Sequence, residues 1–301
     1  MAGRKPSGRR PLNPAFRGGG NGVVLGAAAK TEDALFKGAR YSGKLDLSGR
    51  SLREVPDSVF GLDSDAGADE QWWMMVETRE LNLSDNALAV VPPEVGARLE
   101  QLEVLDLARN ALTCLQASFF EHPLLKRLDV GLNRLSIVEP AVIRSETLVV
   151  LRLGGNALAA LPPLQLPALE ILDVGGNALA ALPSLAGVPL LKRLLAKENR
   201  LVDPPDLSAT PLIEVAELQK NALQRFPLGL RELRGLGQLN LSYNQLKGGE
   251  PVPAQLTDLS LGFNQLTELG SLRLEGAPAL SVLDVRDNKL KALDEALYAC
   301  K

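Results

Sequence analysis

An asparagine returns at nearly even intervals along most of this chain: Asn86, Asn110, Asn133, Asn156, Asn177, Asn199, Asn221, Asn244, Asn264 and Asn288. The successive gaps are 24, 23, 23, 21, 22, 22, 23, 20 and 24 residues. Each copy stands in one frame of leucines, seen around Asn156 as Leu148, Leu151, Leu153, Leu158 and Leu161. A period of this length makes each unit one turn of a solenoid, and a single turn buries its apolar face only against its neighbours. Leu45, Leu47, Leu52 and Val55 carry the frame upstream, with Arg50 in the asparagine position, for about eleven turns. Ala196 and Ala216 replace strand leucines, which predicts a slightly looser middle.

The stretch through Leu151, Arg152 and Leu153 alternates apolar and polar, the mark of a short strand with one buried face. Strands of successive turns then lie about 4.8 Å apart in one parallel sheet. Asparagine carries two donors and an acceptor and can satisfy backbone groups left unpaired between turns. The ten copies are therefore expected to form a buried polar ladder. Val91-Pro92, Leu161-Pro162, Leu182-Pro183 and Phe226-Pro227 place a residue that cannot continue a hydrogen-bonded ladder at the bend into the convex side. Ala117 to Phe120 is expected to form a short helical turn there.

This frame is similar to the leucine-rich repeat. The fold class it predicts is α/β: a leucine-rich-repeat solenoid, a right-handed superhelix or horseshoe with a parallel concave sheet. The run from Gly38 to Leu52, Val55-Pro56, the Trp72-Trp73 pair and the run from Leu81 to Asn86 resemble the start of the family of leucine-rich repeat-containing protein 40. The last repeat, Leu283 to Leu290, resembles that family too. The resemblance implies an intracellular protein, no catalytic residues to carry over, and further repeats in longer members. In a shorter relative, Leu293 to Tyr298 would have to cap the C-terminal end.

Three segments organise the chain. Residues 1–30 read as a disordered, basic Gly/Pro-rich tail; residues 1–31 hold six Lys or Arg and no acid, and the whole chain is −3, so residues 32–301 carry −9. Residues 31–43 read as an N-terminal capping helix, with Thr31 at its start, Glu32 and Asp33 in the first turn and Lys37 and Arg40 in the last. Residues 44–301 form the repeat domain, with an insert at about 57–77 that holds an acidic run and Trp72-Trp73-Met74-Met75. That aromatic cluster is read as a shield folded onto its own core, with a partner anchor as the alternative.

Enzyme chemistry is not expected. Gly38, Gly43 and Lys44 nearly spell a phosphate loop, but Leu45 stands where the magnesium-binding hydroxyl belongs, and helix precedes strand. Asp63, Asp65, Gly67 and Asp69 hint at a calcium loop, but Met74 stands where a bidentate Glu is needed. One histidine, His122, and two remote cysteines, Cys114 and Cys300, assemble neither a triad nor a zinc site. No cofactor or metal is expected. Two distant cysteines cannot build disulfide-bonded end caps, so a cytoplasmic or nuclear location is expected. No run approaches the ~20 apolar residues of a membrane span.

Function is expected on the concave face. Its central column reads Asp46, Asn82, Asp106, Asp129, Arg152, Asp173, Leu195, Glu217, Asn240, Ser260 and Asp284. Arg152 is expected to neutralise part of both Asp129 and Asp173. Val104, Val150, Ile171 and Val215 put apolar groups one position upstream, and Tyr243 and Phe263 stand just before their asparagines. The partner-binding residues expected from this pattern are Arg127, Asp129, Val150, Arg152, Ile171, Asp173, Leu195, Lys197, Tyr243 and Phe263. The expected partner is a protein or peptide of basic character, bound by a monomer that acts as an interaction scaffold. Two other readings are a regulatory subunit for a phosphatase or small GTPase, and nucleic-acid contact through the basic tail.

Overall fold

The computed structural model describes residues 35–60, 76–139 and 141–291. The basic tail, the start of the capping helix, most of the insert with Trp72-Trp73 and the acidic run, and Leu293 to Tyr298 lie outside the described residues. Residues 35–42 are helical, and Ala39 is buried against the first turn. Ser42 Oγ donates to the Gly38 carbonyl at 2.9 Å near the helix end, and Gly43 comes next in the left-handed region at φ 68°.

Eleven three-residue strands form one parallel sheet in strict chain order, from Lys44–Asp46 through Val150–Arg152 to Val282–Asp284. The register never slips. Leu45 pairs with Leu81, Leu81 with Leu105, Leu128 with Leu151, and Leu194 with Ala216, which pairs with Leu239. Alternation sends these central residues inward and their neighbours to the concave side. Leu105, Leu128, Leu151 and Leu172 are fully buried. Ala196 and Ala216 are fully buried as well, and the sheet keeps its register through them.

The convex side is irregular because its chain is short and rich in proline. Among the described residues it holds one α-helical turn, Glu94–Arg98, and six 3-10 turns, including Ala117–Phe119 and Leu185–Gly187. Two small parallel ribbons join Cys114–Leu115 to Ile137–Val138 and Ile143–Arg144 to Leu164–Gln165. His122 is a convex-side brace. Its Nδ1 accepts from the Leu124 N–H at 3.2 Å, so Nε2 carries the proton and donates to the Leu99 carbonyl at 2.9 Å.

The asparagines form a ladder with one repeated pattern. Asn156 Nδ2 donates to the Val130 carbonyl of the preceding turn at 3.0 Å and to the Leu153 carbonyl of its own at 2.8 Å. Its Oδ1 accepts from the preceding turn's Leu135 N–H at 2.9 Å. Asn110, Asn177 and Asn264 make the equivalent bonds. The first turn has Arg50 instead, so Asn86 Oδ1 accepts from both the Arg50 and Leu52 N–H groups, at 2.9 and 3.0 Å. Asn133, Asn244 and Asn264 are buried; the other seven are half-buried, because each asparagine sits at the rim where the chain leaves the sheet.

Candidate functional site: the concave face

The turn after each strand shapes the concave face. Two residues beyond the central column, a backbone N–H donates to that column's side chain. Asp106 Oδ1 accepts from Ala108 at 2.9 Å, Asp129 from Gly131 at 3.0 Å, and Asp173 from Gly175 at 3.0 Å. Asn82 and Asn240 accept in the same way from Ser84 and Ser242. The repeated Asp or Asn thus closes the turn that ends its strand. The residue just before each asparagine then takes left-handed backbone: Arg109 (φ 55°), Leu132 (φ 54°), Gly155 (φ 69°), Gly176 (φ 64°), Lys220 (φ 57°), Tyr243 (φ 55°) and Phe263 (φ 57°). Non-glycine residues hold that region only where surrounding bonds over-determine it. Here the ladder asparagine bonded on either side does so.

Arg152 Nη1 lies 3.2 Å from Asp129 Oδ2. Arg152 thus pairs directly with Asp129 and acts on Asp173 only from a distance, where its charge and that of Lys197 draw the carboxyl down. Asp173 turns its carboxylate to the Gly175 N–H and leans over Gly154, where an added Cβ would meet Asp173 Oδ1 at 3.0 Å. Among the described residues neither Asp106 nor Asp173 has a cation within ion-pair distance. Burial pushes both carboxyls above their ordinary value, against the pull of the Ala108 and Gly175 N–H groups. Lys197 pairs with Glu217 at 3.5 Å, and Lys44 with Glu80 at 2.8 Å. Arg127 is exposed; Ile171 and Leu195 are half-buried. Val150 is only 9% exposed and offers a partner little, because it is held between the strands of Arg127 and Ile171.

Across the third to sixth turns the second position beyond the strand carries Ala108, Gly131, Gly154 and Gly175. These residues floor a trench of about 430 Å³. Asp129, Arg152 and Asp173 line it from the strands, Arg109, Leu132 and Gly155 from the rim, and Lys197 and Glu198 from the next turn. Leu132, 56% exposed, lies across Gly155: a Cβ there would stand 2.5 Å from Leu132 Cδ2. Farther along, the surface is filled instead. Tyr243 and Phe263 stack with ring centroids 4.2 Å apart and planes 8° from parallel, and the Arg286 guanidinium caps Phe263 at 5.7 Å.

A family model described as "Leucine rich repeat" matches residues 77–135. Mouse Tsukushi is 30% identical over 265 residues, covering 80% of this chain and 70% of that protein. The chain belongs to the leucine-rich-repeat family. Human Podocan-like protein 1 is 29% identical over 272 residues, which cover 83% of this chain. The leucine-rich-repeat chain described here spans about half the length of its human and mouse podocan-like relatives, 49% and 46%. Among solved structures, the leucine-rich effector protein YopM from Yersinia pestis superposes with a TM-score of 0.69 at 28% identity, covering 88% of this chain and 65% of that one.

The sequence reading of this leucine-rich-repeat face missed the trench and the rim residues Arg109 and Leu132. Its signal was present as the repeated Gly-Gly-Asn at Gly154-Gly155-Asn156 and Gly175-Gly176-Asn177. Only the fold puts those glycines side by side.

Proposed function

We propose that this chain is a protein-interaction module that binds a protein or peptide partner on its concave sheet, without catalytic chemistry of its own. The observation that carries this reading is the concave face itself. It is a continuous row of eleven strands whose outward side chains mix charged and polar groups with aliphatic ones such as Val104, Ile171 and Leu195. Its central column holds six carboxylates against the single cation Arg152. An acidic lining attracts a basic partner and speeds encounter. No helix among the described residues is long and apolar enough to cross a membrane. Among the same residues no group of His, Cys, Asp or Glu could hold a metal.

The finer assignment to the family of leucine-rich repeat-containing protein 40, and with it a cytoplasmic monomer, is part of the proposal. It is supported by the first-turn and last-turn motifs and by the scarcity of cysteine. The test is affinity capture followed by mass spectrometry, with the full chain and with a charge-reversed concave variant, Asp106→Lys plus Asp173→Lys. Partners retained by the first and lost from the second support the reading. Identical partner sets overturn it.

A further inference from the structure

We propose that the trench, continued over the concave face past its Ala108 end to Asp106, docks an extended peptide bearing two cationic residues four positions apart, one against Asp106 and one against Asp173. This inference rests on the concave-binding proposal and names the chemistry of its partner.

Three observations converge on it. The first is room. Ala108, Gly131, Gly154 and Gly175 project nothing beyond a Cβ, so a chain can lie close across the strands there. The second is unmatched charge. Asp129 is answered by Arg152, while Asp106 and Asp173, on either side of that pair, lack an ion-pair partner among the described residues. Burial penalises both charged forms; Arg152 offsets part of that penalty for both from a distance and Lys197 does so for Asp173, and a cation landing beside either carboxylate offsets more of it. The third is distance. Asp106 and Asp173 are three strand steps apart, roughly 14 Å at about 4.8 Å per step. In an extended chain, residues i and i+4 face the same way and stand about 13–14 Å apart. The residue between them, i+2, would lie over the Arg152–Asp129 pair, where a small or polar side chain fits. Leu132 on the rim offers an apolar contact to the side chains that point away from the sheet.

The floor carbonyls are already engaged within the sheet. The Gly154 carbonyl already accepts from Leu132 N–H at 2.7 Å, and the Gly175 carbonyl from Gly155 N–H at 2.7 Å. Recognition rests chiefly on side-chain charge and shape, and it must weaken with added salt.

The experiment displays a random linear peptide library to the full chain, to the double variant Asp106→Asn plus Asp173→Asn, and to Leu195→Glu outside the trench. The asparagines remove charge and keep the turn bond, as Asn82 and Asn240 do in the native sheet. The full chain should enrich peptides with Lys or Arg four apart. Synthetic copies should bind the double variant about tenfold or more weakly by fluorescence anisotropy, the measure of ~1.4 kcal/mol, and lose affinity in high salt. Enriched peptides without the basic pair, or equal binding to the double variant, overturn the trench assignment. If such peptides are lost from Leu195→Glu alone, the concave reading survives and the trench does not. If they ignore all three surfaces, or if none is enriched, both fall.

Discussion

The third to sixth turns and the ninth to eleventh turns share one backbone and present opposite surfaces. Beneath both, the leucines stack in register and the asparagines make the same bonds, Asn156 in one region and Asn264 in the other. Above them, the first region leaves its rim empty at Gly155 and Gly176, and the second fills the equivalent positions with Tyr243 and Phe263. The repeat therefore separates two tasks. Inward residues and the ladder set stability, and they are nearly invariant along the coil. The left-handed rim residue and the small second position beyond the strand are free of that duty, and their identity decides whether a turn offers a trench or a finished surface.

The sharpest way to break this comparison is to cut the shared part. Asn156→Ala and Asn264→Ala each orphan the same kinds of backbone group, so each should cost about 1–3 kcal/mol. Urea denaturation of the two variants should place them within a factor of two of each other. A large inequality would mean that the surface above the ladder feeds into the ladder's strength. Filling the trench comes next. Gly155→Val puts a β-branched residue at φ 69° and drives into Leu132, which should cost about 1–2 kcal/mol and abolish peptide capture. The mirror experiment, Phe263→Gly, should leave capture by the trench unchanged.

The fold was legible from the spacing of Asn86 to Asn288, because a period with one polar residue per turn admits few other architectures. The strand positions came from alternation around Leu151 and its equivalents. The candidate site was legible only in part. Arg127, Asp129, Arg152, Asp173, Leu195, Lys197, Tyr243 and Phe263 do lie on the concave side, but a column read from sequence does not say which neighbours touch. Arg152 could have paired with Asp129 or Asp173; the fold sets it 3.2 Å from Asp129 and leaves it to act on Asp173 only from a distance. Val150 was placed on the face, yet the adjacent strands bury it. The trench is made of absences, and a missing side chain shows only when several turns are laid side by side.

The aromatic pair gives a smaller effect that sharpens the contrast. If Tyr243 and Phe263 finish their surface by stacking, a double-mutant cycle of Tyr243→Ala and Phe263→Ala should return a coupling of about 0.5–1.5 kcal/mol in thermal melts. A coupling near zero with loss of partner capture would instead make the pair an anchor, and the second region a binding surface in its own right.

The smallest effect bears most directly on the first region. Burial raises the Asp173 carboxyl above its ordinary value. A raised carboxyl favours the folded state in its protonated form. That contribution is complete below the ordinary aspartate range and disappears as pH rises through the raised value. At neutral pH the charged form therefore costs stability, and Asp173→Asn, which keeps the bond from Gly175, should raise stability by a few tenths of a kcal/mol. The gain should shrink to nothing in acid, below the range where aspartate ionises. Melting curves of the two proteins across that range would read it. A variant less stable than the wild type at neutral pH would show that Arg152 and Lys197 together already satisfy Asp173, leaving it no charge to offer a partner. The contrast between an open, electrostatically unfinished trench and a closed aromatic surface would then fail at its most specific point.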